Sequence, residues 1–298
     1  MFEKLSRSWS LTKQSWSVLQ QDKRLVLFPV VSAISTLVVC ALLLVPGIIL
    51  VVANMSEQPA GASTDATKDD LMATIGPWGM LGLFVIYFIA NFITTYFNSA
   101  LLACVMNRFD GLPSAPSDGL KLANSRLGKI AAWSLLNASV GMLINILQDK
   151  VDFLARWLIG LVGVAWQIVT FFVVPVMVVE NTGPIDSVKR SFEVLKKTWG
   201  ESLVSQYGVG AAMTLLSLLV LVGVVAPGIA LSIFASSAVP VAIAAVLAVA
   251  ALIAITVVGS TLKAILVAAC YRYAVTGEAP GTFDQTVLAG AFAPTTKK

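Results

Sequence analysis

Histidine is absent from this 298-residue sequence, and charge is scarce: Asp, Glu, Lys and Arg together make up 12% of it, against ~25% in an ordinary soluble domain. Without histidine, the usual general base near neutral pH and the commonest metal ligand are both missing. The three cysteines, Cys40, Cys104 and Cys270, have no paired spacing, so neither a disulfide framework nor a thiolate metal knuckle is indicated. No Asp or Glu falls within the long apolar runs, which argues against an embedded carboxylate relay or cation site. The acidic group "DATKDD" at 65–70 has the composition of a solvated loop rather than a metal cluster. "GPWGMLG" at 76–82 follows no strand and opens an apolar run, where spaced glycines allow close helix packing. These absences speak against an enzyme, and no cofactor or metal is expected.

What remains is apolar: 57% of residues are hydrophobic. Crossing ~30 Å of hydrocarbon takes ~20 apolar residues at 1.5 Å rise each. The charge-free runs predict six spans, at about 25–53, 77–106, 130–147, 157–179, 203–234 and 241–271, with "SSAVP" at 236–240 turning the chain between the last two. The fold class is therefore an all-α membrane protein of six transmembrane helices. Segments 1–24, 107–129, 180–202 and 272–298 carry sixteen Lys and Arg; the segments on the other side carry only Lys68, Lys150 and Arg156. By the positive-inside rule both termini are cytoplasmic. The net charge of +4 then describes a face turned toward anionic lipid, not a nucleic-acid footprint. The first apolar run is too long for a signal h-region and is expected to be an uncleaved anchor in the inner (cytoplasmic) membrane.

A phrase recurs. "RSWSLTKQSW" at 7–16 is echoed 183 residues later by "RSFEVLKKTW" at 190–199. In the second copy Ile185, Val188, Phe192, Leu195 and Trp199 share a helix face by their spacing; in the first, Leu5, Trp9, Thr12, Trp16 and Leu19 do. Each copy is a basic amphipathic helix too polar to cross, expected to lie in the cytoplasmic headgroup layer as an elbow. Trp9, Trp16, Arg190, Lys196, Lys197 and Trp199 are the expected interfacial anchors. "VPGIIL" at 45–50 returns as "APGIAL" at 226–231, predicting kinks at Pro46–Gly47 and Pro227–Gly228. "ALLACVMNRFDG" at 100–111 compares with "AILVAACYRYAVTG" at 264–277, and "GLKLANSRLGKIAAW" at 119–133 is a weaker middle copy of the elbow. The expected organisation is a single membrane domain of three parallel-repeat hairpins, about 3–118, 119–182 and 183–290. It carries a polar outer loop at 55–75 and a cytoplasmic tail at 272–298.

Three stretches, "LSRSWSLTKQSWSVLQQDKRLVLFPV", "FFVVPVMVVENTGPIDSVKRSFEVLKKTWGE" and "YRYAVTGEAPGTF", resemble an uncharacterised prokaryotic family of six-span integral membrane proteins known only as a domain of unknown function. The hairpin-and-elbow layout is distantly similar to the membrane domain attached to some glycerophosphoryl diester phosphodiesterases. Their catalytic histidines have no counterpart here. The resemblance implies topology and an inner-membrane address, not a reaction.

Polar residues within the spans are the remaining leads. Asn91, Thr94, Thr95 and Asn98 share one face of the second span; Asn137 and Asn145 belong to the third, Gln167 and Thr170 to the fourth, and Ser260, Thr261 and Lys263 to the sixth. Lys263, the one charge inside a span, lies nine residues before Arg272, ~13 Å along the axis, and left unpaired costs ~3 kcal/mol on insertion scales. Such residues pair between helices or line a polar cavity, and a bound anionic headgroup or a side chain snorkelling toward the interface would also explain Lys263. The candidate cavity or lipid-headgroup set is Lys263, Asn98, Asn137, Gln167 and Glu180, with Glu180 a partner for Lys263 if their helices are neighbours. Two classes of function stay open. One is a non-enzymatic, lipid-interacting or scaffolding membrane protein that binds anionic headgroups on its cytoplasmic face, with a protein partner or a second copy also admitted. The other is a small-solute transporter or channel.

Overall fold

A computed structural model describes residues 2–56, 68–197, 210, 213–281 and 283–292. Among these there is no strand, as expected where lipid cannot satisfy an open sheet edge. The helices are α1 (Phe2–Gln21), α2 (Leu27–Ser56), α3 (Lys68–Phe109), α4 (Pro116–Ser125), α5 (Leu127–Asp149), α6 (Phe153–Val169), α7 (Val173–Val179), α8 (Pro184–Lys197), α9 (Met213–Phe234), α10 (Val239–Thr276) and α11 (Gln285–Phe292). Six stretches are long and apolar enough to cross a membrane: Lys23–Gly47, Gly79–Phe109, Leu127–Asp149, Phe153–Val179, Met213–Phe234 and Val239–Thr276. The protein is a multi-pass membrane protein. α10 stops at Gly277, whose left-handed backbone (φ 76°) lets its N–H return to the Tyr273 carbonyl at 2.8 Å.

The core lies at the end of the molecule where α3, α7 and α10 finish. Leu101, Val105, Phe172, Val176, Ile265 and Ala269 are all essentially inaccessible there. α3 packs on α7 and on α10, and three further helices enclose them: α4 on α3, α8 on α7 and α1 on α10. The α4 contact depends on Gly119. A Cβ there would stand 2.4 Å from the Ala100 carbonyl oxygen and 2.6 Å from Cys104 Sγ, so only glycine lets the two backbones approach this closely.

The buried faces of α1 and α8 differ in part from the stripes expected from spacing, of which Thr12, Leu19 and Leu195 are buried. In α1 the inward side chains are Leu11, Thr12, Ser15, Val18 and Leu19, whereas Trp9 and Trp16 are 65% and 43% exposed. In α8 they are Ser187, Ser191, Val194 and Leu195, whereas Ile185 and Phe192 stay exposed. Small serines let each helix sit close against its span, and the bulky aromatics turn away. Trp199 lies outside the described residues, as does the Lys197 side chain.

The fourth span is not one helix. It unwinds at 170–172, between α6 and α7, because Pro175 has no N–H for the Phe171 carbonyl and its ring crowds that group. The bonds around the break tighten to three-residue steps, Phe171 N–H to Ile168 O and Val173 N–H to Thr170 O. Ser191 of α8 closes the gap: its hydroxyl donates to Val169 O at 2.6 Å and accepts from Phe172 N–H at 3.0 Å. Non-helical backbone at membrane depth is tolerated only when protein covers it in this way. The two Pro-Gly pairs behave differently from each other. α2 runs unbroken through Pro46, whereas a π-helical turn, Leu221–Val225, precedes Pro227 in α9 and takes up its missing bond. Gly228 serves a close approach, since a Cβ there would meet Ala244 Cβ of α10 at 2.3 Å.

Candidate ligand cavity

A cavity of about 780 Å³ lies beside the core, walled by α2, α3, α5, α6, α7, α10 and the break before α7. Every wall except α7, which presents Val174 and Pro175, contributes a polar side chain. Asn98 comes from α3, Asn137 from α5, Gln167 from α6, Ser260 and Lys263 from α10. α2 adds Ser32 and Thr36. The Thr36 hydroxyl is buried without a hydrogen-bond partner among the described residues.

Lys263 supplies the only charge on the described lining, and no carboxylate accompanies it. It makes neither an ion pair nor a hydrogen bond with any described residue, and its side chain keeps free surface. The volume falls within the usual ~300–1,000 Å³ of small-molecule sites. A cation surrounded by neutral donors and acceptors, with Trp133, Trp166 and Phe171 beside them, suits an anion that also carries apolar bulk.

Not every polar residue in the spans serves the cavity. Asn137 donates to Asn91 Oδ1 at 3.1 Å and accepts from Trp166 Nε1 at 3.0 Å, and Asn91 donates to Tyr87 O. This chain clamps α3, α5 and α6 together, so Asn137 lines the cavity with its amide already engaged. Thr170 likewise bonds back to Trp166 O at 2.7 Å. Thr36, Asn98, Gln167 and Lys263 are among the lining groups whose side chains have no such partner among the described residues.

Glu180 is not on the cavity wall and does not meet Lys263. Its carboxylate accepts from Arg190 Nε at 3.0 and 3.1 Å and from the Tyr271 hydroxyl at 2.8 Å, tying α8 to the end of α10. The carboxylate holds the Arg190 guanidinium above its usual pKa. Several of the basic residues that set the charge asymmetry are occupied in the same manner. Arg126 donates to the carbonyls of Met177 (2.6 Å) and Val178, the unsatisfied end of α7, and burial pulls its pKa down. Lys129 reaches Asn181, Arg272 pairs with Asp110, and Arg108 lies 3.8 Å from Asp22. Lys196 and the Trp9 and Trp16 rings remain exposed. Among the described residues no three His, Cys, Asp or Glu side chains gather as a metal site.

Residues 78–281 match a family of unknown function, DUF6159. The chain belongs to that family. The match takes in α3 from residue 78 through α10, and with them every cavity wall except α2. No curated protein matches the chain.

Proposed function

We propose that the protein is a non-enzymatic inner-membrane protein, with both termini cytoplasmic, that binds a phosphate- or carboxylate-bearing amphiphile at Lys263. The observation that carries this reading is a lone ammonium, unpaired with any described residue, on the wall of a ligand-sized cavity inside the membrane-crossing bundle. An uncompensated charge at that depth is costly, and an anion offsets the cost. The cavity residues lie in the half of each span nearer the basic ends, where anionic lipid of the cytoplasmic leaflet would be met. The exposed Trp9 and Trp16 rings and Lys196 suit a headgroup layer around that end. A protein partner or second copy belongs to the same reading as a further occupant of the basic face.

The same reading makes the molecule three hairpins around an axis along the membrane normal. Support comes from a cyclic packing rule: α4 sits on the return span of the first hairpin, α8 on that of the second and α1 on that of the third. The register of the repeat is then 176 residues, not 183. Lys13, Ser15, Val18 and Leu19 correspond to Lys189, Ser191, Val194 and Leu195, with aromatic Trp16 and Phe192 facing outward in both. The 183-residue echo is this register displaced by seven residues, close to two turns, which returns nearly the same helix face. The likeness in layout to the phosphodiesterase membrane domains carries no argument for an activity.

Thermal unfolding of the purified protein tests the reading. Phosphatidylglycerol should raise the midpoint of the wild type more than phosphatidylcholine does, and Lys263→Gln should abolish the difference. An undiminished difference in Lys263→Gln and in Lys263→Leu would overturn it and leave Lys196 on α8 as the contact. The break beside the cavity favours a second reading, transport of a small anion, which solute-dependent flux into proteoliposomes would reveal.

A further inference from the structure

The basic end of the cavity is shut. Going from the cavity toward the ends of α3, α7 and α10, the chain meets Leu102, Val105, Val176, Met177, Leu266 and Ala269, none more than 2% exposed. α2 contributes Phe28 and the turn before it Leu25, at 4% and 2%. This plug separates Lys263 from the aqueous face that carries the basic residues.

The sides are different. α2 packs on α3 and α10, and α6 packs on α5 and α8. Among the described residues α2 and α6 share no extensive interface, although both line this cavity. α6 buries none of its side chains, and α2 exposes Ile34, Leu37 and Val38 at cavity depth. α10 adds a direction. The face bearing Lys263 and Ser260 continues in steps of three and four through Thr256 to Ile253, Val249 and Val246, which are 53%, 56% and 69% exposed. This apolar track runs about 25 Å away from the plugged end. A cation stands at one end of it and hydrocarbon-like surface follows, which is the polarity of a single lipid.

We infer that the cavity is entered sideways from the cytoplasmic leaflet, between α2 and α6, and holds a phospholipid with its phosphate at Lys263 and an acyl chain along the Val246–Val249–Ile253 face of α10. The inference rests on the anion-at-Lys263 reading above and adds the source of the anion and its path. Phosphate chemistry is shared by a lipid headgroup and a free phosphate ester, but only the lipid arrives through the membrane and fills the track. The neutral amides of Asn98 and Gln167 suit the glycerol and ester oxygens beside the phosphate.

The experiment measures concentration-dependent thermal stabilisation of the full-length protein in detergent by phosphatidylglycerol, by glycerol phosphate and by inorganic phosphate. Wild type, Lys263→Gln and Val249→Asp are compared, with Val249→Ser as a milder variant, each first shown monodisperse by size-exclusion chromatography. We expect stabilisation by the lipid alone. Lys263→Gln should raise the half-saturating lipid concentration by about tenfold or more, the equivalent of one charge-assisted hydrogen bond. Val249→Asp should raise it too, and Val249→Ser less, while leaving the lipid-free midpoint near wild type. If glycerol phosphate stabilises as well as the lipid and Lys263→Gln removes the effect, the cavity is an anion site but the lipid path is overturned. If the lipid effect depends on Lys263 but neither Val249 variant alters it, the track is overturned. Loss of all dependence on Lys263 sinks both this inference and the reading beneath it.

Discussion

Ser191→Ala removes one oxygen and leaves two backbone groups of the fourth span without partners. Among the described residues Val169 O and Phe172 N–H bond only to that hydroxyl at the break, and both Ser191 and Phe172 are fully buried. Orphaning a buried donor or acceptor costs ~1–3 kcal/mol each, and relaxation toward neighbouring groups recovers part of it, so the substitution should cost about 2–4 kcal/mol. The origin of the break supplies the control. In Pro175→Ala the new amide at 175 can donate to Phe171 O, and residues 170–172 can rejoin the helical ladder, Phe172 N–H to Ile168 O and Val173 N–H to Val169 O. Ser191 then has nothing to satisfy, and its loss in that background should cost less than about 1 kcal/mol. The small void left by the missing proline ring is common to both arms and cancels in the cycle. Reversible unfolding of the four proteins in a mixed-micelle titration measures the coupling, expected at about 2 kcal/mol. If the two substitutions add to within about 0.5 kcal/mol, Ser191 does not bridge a proline-induced break and the account of the fourth span is wrong.

Arg126→Ala should destabilise by about 2–3 kcal/mol, because it uncaps the carbonyls of Met177 and Val178; Arg126→Lys, lacking the guanidinium fork, should recover less than half in the same titration. Gly119→Ala should cost about 1–3 kcal/mol by forcing α4 off α3, whereas Gly82→Ala, with open space around it, should stay within about 0.5 kcal/mol. Equal costs at the two glycines would refute the close-approach argument. For topology, a cysteine at Ser63 should react in intact cells with an impermeant maleimide and one at Lys121, exposed on α4, should not. The reverse pattern would invert the assigned orientation.

The six spans were legible because charge-free length is a direct consequence of hydrocarbon thickness, and that quantity needs no knowledge of neighbours. The break at 170–172 was written in the sequence too, as Pro175 inside a span, but spacing alone reads proline as a kink. Whether a helix bends or separates depends on what can satisfy the freed carbonyl and amide. Here that is Ser191, a residue on another helix whose hydroxyl carries no hydrophobic signal. The two Pro-Gly pairs make the same point from the other side: identical dipeptides sit in an unbroken α2 and after a π turn in α9, because only α9 is pressed against a partner at Gly228.

α1 shows why a hydrophobic stripe identifies a face but not its destination. Trp9 and Trp16 form the most apolar edge of α1, yet the helix packs through Leu11, Ser15 and Val18, since serine lets it lie close to α10 and a tryptophan would hold it away. In a soluble protein the larger rings would have gone inward; the headgroup layer proposed around α1 would accept them, and burial is freed to follow shape. The same freedom explains the charges. Arg126, Lys129 and Arg190 were legible as a basic cluster, but three of their strongest contacts are a helix end, an Asn and Glu180, so part of the charge asymmetry is structural. Lys263 is the exception that gives the cavity its meaning. It has apolar neighbours in sequence and no acidic residue within a turn, so nothing local shows what it faces. Only the convergence of Asn98, Gln167 and Ser260 from three helices distinguishes it from a lysine reaching for the surface, and the plug of Val105, Val176 and Ile265 beyond them closes the direct route out.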